Sequence, residues 1–89
     1  MDFNFAELLE RSNQNLSNFL HAEIELGKTF ARMAKYYREH GNTERFELSK
    51  QNALAALETL DRFKDRLPYD FKMTIDDGRA ELAQIVSTL

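Results

Sequence analysis

FAELLERSNQNLSNFLHAEIELGKTFARMAKYY, residues 5 to 37, carries the longest periodic pattern in the chain. Stepping alternately by four and three picks out Phe5, Leu9, Ser12, Leu16, Phe19, Glu23, Leu26, Phe30, Met33 and Tyr37, and eight of these ten positions are apolar. A seam of that spacing predicts one long helix packed at a shallow angle on antiparallel partners. Its start is marked by Asn4 as a cap, Glu7 three residues on, and Phe3 placed to staple onto Leu8. Gly41, just past His40, is the natural left-handed stop. The helix over about residues 4 to 40 has two weak points. One is the polar run Ser12-Asn13-Gln14-Asn15 with Ser17-Asn18; the other is Gly27, which costs about 1 kcal/mol against Ala unless another backbone packs closely there.

Gly41-Asn42 then forms a short connection, with Asn42 or Thr43 as the cap of a second helix over about 43 to 66. Its inward face is built from Phe46, Ala53, Ala56, Leu57, Leu60, Phe63 and Leu67, and Pro68 stops it. Leu67 to Met73 reads as a loop whose Tyr69 and Phe71 fold back onto the core. A third helix, about 74 to 88, starts at Thr74 and turns Ile75, Leu82, Ile85, Val86 and Leu89 inward. The fold class is therefore all-α: a long N-terminal helix in an antiparallel hairpin with a second helix, plus a shorter third helix, in one domain.

With 89 residues there is room for one core, and a core of this size leaves a large share of the surface exposed. Some 24 residues of helix 2 cover only the part of helix 1 near Gly41. The N-terminal third, with Phe3, Phe5, Leu8, Leu9 and Leu16, is left to helix 3 or to a second copy of the chain, which makes these five the candidate partner-binding residues and a homodimer the expected assembly. Tyr69 and Phe71 are possible additions to that surface.

Composition excludes several classes. Zero cysteines remove disulfide scaffolds, thiolate zinc sites and cysteine nucleophiles. A net charge of -3 argues against nucleic acid as a partner. The opening Met1-Asp2-Phe3-Asn4-Phe5 has no basic leader, and no apolar run reaches the ~20 residues of a membrane span, so the expected location is cytoplasmic with no membrane partner. No phosphate loop, nucleophile elbow, zincin motif or dinucleotide fingerprint occurs, and no cofactor or catalytic residue is assigned. His21 and Glu25 stand four apart, but neither histidine has a Glu three positions before it, as di-metal carboxylate bundles require, so no metal site is expected.

Charge is polarised along the chain. Residues 1 to 26 hold five acidic and one basic residue, whereas residues 27 to 50 hold six basic and three acidic. Lys28, Arg32, Lys35 and Arg38 recur at helical spacing, with Arg45 near across the turn, as a solvated face pairing with Glu39, Glu44 and Glu47 or as a surface for an acidic partner. Glu23, a charge on the seam, is expected to meet Arg62, Lys64 or Arg66.

Two resemblances bear on function. Phe30, Met33, Ala34, Tyr37, Gly41 and Ala53 match the large, large, small, aromatic, turn and small positions of a tetratricopeptide unit over about residues 30 to 58, with Phe46, Lys50 and Glu58 departing from it. One such unit resembles a protein-interaction hairpin; stacked repeats need about three copies. The chain also resembles all-helical chorismate mutases in length and in its long first helix. That resemblance implies an intertwined dimer that binds a dicarboxylate, with Arg11, Lys28, Arg32, Arg45 and Gln84 as counterparts, although Glu39 falls where the family keeps a basic residue. A non-enzymatic interaction or assembly module is the expected function, and a chorismate-mutase-type enzyme is the alternative.

Overall fold

The computed structural model describes residues 4 to 89. Three helices follow in order: α1 over Phe5–Glu39, α2 over Thr43–Phe63, and α3 over Tyr69–Ser87, with a 3-10 turn over Lys64–Arg66 between the last two. The described residues contain no strand. The molecule measures 61 × 23 × 15 Å, so it is a rod set by the length of α1.

Local chemistry explains most boundaries. Asn4 caps α1 by accepting a hydrogen bond from the Glu7 amide at 3.1 Å, and Asn42 does the same for α2 through the Arg45 amide at 3.1 Å. Phe3 lies outside the described residues. At the far end of α1 the Gly41 amide donates to Arg38 and the Asn42 amide to Tyr37, while Gly41 takes φ +72°. This is the paired bonding of a Schellman ending, in which the left-handed residue has no Cβ to clash. Nδ1 of His40 donates to the Tyr36 carbonyl oxygen and the two rings stack at 4.1 Å, sealing the same end. The polar run Ser12 to Asn18 does not break α1; Gln14 Nε2 donates to Asn18 Oδ1 one turn on.

Helix 3 begins five residues earlier than Thr74. Pro68 is its cap residue, with the Phe71 and Lys72 amides both donating to the Pro68 carbonyl. Thr74 is interior, its hydroxyl donating to the Phe71 carbonyl oxygen at 3.1 Å, so the residue that looked like a cap bonds back along a continuous helix. Phe71 packs on the core, but Tyr69 is exposed, contrary to the expectation that both fold inward.

The helices run up, down and up. His21 meets Thr74, Lys28 meets Glu81 and Arg38 meets the Thr88 carbonyl, so α3 climbs parallel to α1 and antiparallel to α2. Phe19 packs edge-on against Phe63 at 6.5 Å, which places the end of α2 beside the middle of α1. The N-terminal part of α1 therefore extends past the bundle as an arm.

The buried face of α1 corrects the seam expected from the sequence. Ser17, Leu20, Ile24, Gly27, Ala31 and Ala34 face the core, with the same spacing of three and four but offset by one residue. Of the eight apolar residues on the larger seam, Leu16, Phe30 and Tyr37 are half-buried, as is Glu23, and the other five, Phe5, Leu9, Phe19, Leu26 and Met33, are exposed. Small residues win because they let backbones close in. A Cβ at Gly27 would stand 2.6 Å from Leu82 Cδ2 and 2.9 Å from Ala56 Cβ, and one at Gly78 would stand 2.5 Å from Ile24 Cδ1. Ser49, Ala53 and Ala56 continue the small-residue surface on α2. Leu20, Leu60, Ile75 and Leu82 fill the remaining space and are fully buried, each stabilising by about 1.5–3 kcal/mol.

This packing makes two comparisons decisive in urea denaturation. Leu20→Ala should cost about 2–5 kcal/mol, whereas Leu26→Ala, on the exposed set, should cost less than about 1 kcal/mol in the dilute single chain. Gly27→Ala should destabilise by about 1–2 kcal/mol despite its better helix propensity, since Ala56 Cβ has no rotamer to yield with. Gly78→Ala meets mainly the flexible tip of Ile24 and should cost less.

Candidate functional site

The seam that the core does not use is the most conspicuous surface of the protein. On α1, Leu9 is 51% exposed, Phe19 47%, Leu26 46% and Met33 38%, with Phe5 and Leu8 exposed beside Leu9. Leu16 and Phe30 lie between them, half-buried against the core edge. These residues form one apolar stripe from the arm to the hairpin end. Four of the five expected partner-binding residues, Phe5, Leu8, Leu9 and Leu16, are on it; Phe3 lies outside the described residues. Sequence reasoning took Leu26 and Met33 as part of the packed seam, and both are exposed.

Beside the bundle the stripe is one wall of a groove, and α2 supplies the other. Phe30, Met33 and Tyr37 face Arg45, Leu48 and Asn52 across an open cleft of about 460 Å³. Leu48 is itself exposed. Helix α3 lies on the opposite side of the α1–α2 pair, where it holds Ile24, Gly27 and Lys28, so the groove is the vacant fourth position of a four-helix arrangement. A contiguous apolar surface of this length is unusual on an isolated chain.

The charged groups serve the internal packing. Arg79 grips Asp61 with Nε at 2.7 Å and Nη2 at 3.0 Å from its two oxygens, a bidentate link between α2 and α3. Lys72 meets Asp65 at 2.8 Å and Lys64 meets Asp76 at 3.3 Å along the same seam. Lys28 joins α1 to α3 through Glu81 at 2.8 Å. Hydrogen bonding to Arg79 holds the Asp61 carboxyl below its ordinary range, and Lys72 and Lys28 do the same for Asp65 and Glu81. The expected pairings of the basic stripe with Glu39, Glu44 and Glu47 are not the ones formed. Arg38 instead donates to the Thr88 and Leu89 carbonyls, and Arg45 donates to the Tyr37 hydroxyl. Among the described residues Glu23 has no ion pair; Arg62 goes to Glu58, Lys64 to Asp61 and Asp76, and Arg66 sits over the Phe63 ring.

The candidate cationic set does not converge. Arg11 lies on the arm among Glu7, Glu10, Gln14 and Asn15, about 25 Å along the helix from Lys28. Arg32 and Gln84 share a shallow cleft between α1 and α3, while Arg45 is at the hairpin end with Tyr37. His21 reaches Thr74 Oγ1 at 3.2 Å, and among the described residues no three His, Asp or Glu side chains are grouped to hold a metal ion. Among the described residues no helix is long and apolar enough to cross a membrane. Neither family models, curated proteins nor solved structures show a match to this chain.

The ion pairs fix the acid limb of stability. A carboxyl whose pKa is lower in the folded chain contributes stability that is present above its unfolded value, 3.8 for Asp, and is lost as pH falls through the folded value. The melting temperature should therefore be level from about pH 5 to 8 and fall below about pH 4. Asp61→Asn should lower the plateau and shallow the acid fall; an unchanged acid limb would show that the Arg79 link contributes nothing.

Proposed function

We propose that this protein is a non-enzymatic helical assembly module, working in the cytoplasm, that joins a protein partner, including a second copy of itself, through the apolar stripe on α1. The observation that supports it is the two-seam character of that helix. Folding buries the small-residue seam, and much of the larger apolar seam, Leu9, Phe19, Leu26 and Met33, keeps a large exposed area. The tetratricopeptide-like hairpin over residues 30 to 58 agrees with an interaction role, and the absence of cysteine accords with a reducing compartment.

A module of this kind separates association from folding. Leu9→Gln with Leu26→Gln changes two exposed positions and should leave the helical circular dichroism and the cooperativity of melting intact. The same pair should abolish the complex that the parent forms, whether with itself or with another protein, when both are measured by light scattering and by co-purification under matched conditions. Retention of that complex by a folded variant would remove the stripe from the account.

A further inference from the structure

The geometry points to a specific occupant of the exposed α1 stripe between Phe19 and Phe30: the N-terminal arm of α1 from a second copy of this chain, laid antiparallel and in reciprocal exchange. This rests on the assembly reading and supplies its partner.

The first argument is one of register. In an antiparallel pair of helices, seam positions meet when their numbers have a constant sum. A sum of 35 sets Leu16 against Phe19 of the other copy, Leu9 against Leu26, and Phe5 against Phe30. The two polar interruptions of the seam, Ser12 and Glu23, then fall opposite each other, so a hydroxyl meets a carboxylate in a layer of its own. Other antiparallel registers place Glu23 against an apolar residue, and a parallel pair in register sets Glu23 against Glu23. Polar seam residues that match only one alignment are the usual means by which paired helices select it.

The second argument is one of length and place. The arm projects beyond Phe63, where α2 ends beside Phe19, and the exposed stripe of α1 continues from Phe19 through Leu26 to the cleft that opens at Phe30 and Met33. At a sum of 35 the arm of each copy lies along the stripe of the other from Phe19 to Phe30, its Phe5 reaching the near edge of the cleft, as a fourth helix beside the partner's bundle. Both exposed stripes and both protruding arms are covered by one two-fold operation. The flank beside the seam, Leu8, Asn15, Ala22 and Thr29, carries no charge to oppose the approach.

The chain has no cysteine, which allows a clean crosslinking test. Light scattering of the parent at tens of micromolar should give twice the mass of one chain. The variant carrying both Ser12→Cys and Glu23→Cys should oxidise to a covalent dimer in high yield. Within one chain the two positions are about 16 Å apart along the helix, too far for an internal bridge. Either single variant should crosslink at least tenfold less. Circular dichroism confirms that each variant is folded. Crosslinking of Ser12→Cys alone or Glu23→Cys alone as efficiently as the pair would mean parallel or unregistered association and would overturn the exchange while leaving the assembly reading intact. A monomeric parent would also overturn it, and the stripe would then have to serve a foreign partner, which the Leu9 and Leu26 variants test separately.

Discussion

At Gly27 the backbone of α1 comes so close to Ala56 and Leu82 that there is no room for a methyl group, and the remaining packing follows from that approach. With the first two helices this near, residues facing each other must be small, which selects Ser17, Ala31 and Ala34 on one side and Ser49, Ala53 and Ala56 on the other. The third helix then seats Leu82 over the junction and brings Gly78 against Ile24. Close packing recovers through dispersion what the small side chains lack in area. The consequence is rotational: α1 is turned so that its bulky apolar residues flank the interface and do not fill it.

That rotation explains what was legible in the sequence and what was not. Caps are local chemistry, so Asn4, Asn42 and Gly41 announced their helix ends from their own side chains or lack of one. The inward face of α2 was legible too, since Ala53, Ala56 and Leu60 form its single inward-facing set of apolar residues. α1 offers two seams of identical period, one residue apart, and periodicity cannot choose between them. Counting apolar bulk favours Phe19, Leu26 and Met33; close approach favours Leu20, Gly27 and Ala34. The deciding term, the distance between helix axes, belongs to the tertiary structure. Gly27 was the one available hint, as a costly residue in mid-helix that close backbone contact would justify.

The start of α3 failed to show for a related reason. Pro68 was legible as the end of α2, but as the cap residue of α3 it also offers its carbonyl to the Phe71 and Lys72 amides, and Lys72 pairing with Asp65 secures that turn. Of the candidate interaction surface, Phe5, Leu8 and Leu9 are exposed, as helix lengths alone imply, while Leu16 packs against the core edge. The groove that continues from them was hidden, since it consists of residues that bulk had assigned to the interior. The cross-helix pairs Asp61 to Arg79 and Lys28 to Glu81 were not legible, as no local spacing links residues 18 or 53 positions apart.

Leu20 and Leu26 share the same side-chain chemistry, lie six residues apart on one helix, and are assigned opposite environments. Hydroxyl-radical footprinting of the dilute single chain, at a concentration where light scattering shows no association, compares them directly. Oxidation at Leu26, with Phe19 and Met33 also labelled, and protection at Leu20 and Ile24 is the pattern expected if the small-residue seam forms the core. Protection at Leu26 with labelling at Leu20 would place the core on the other seam and contradict the account.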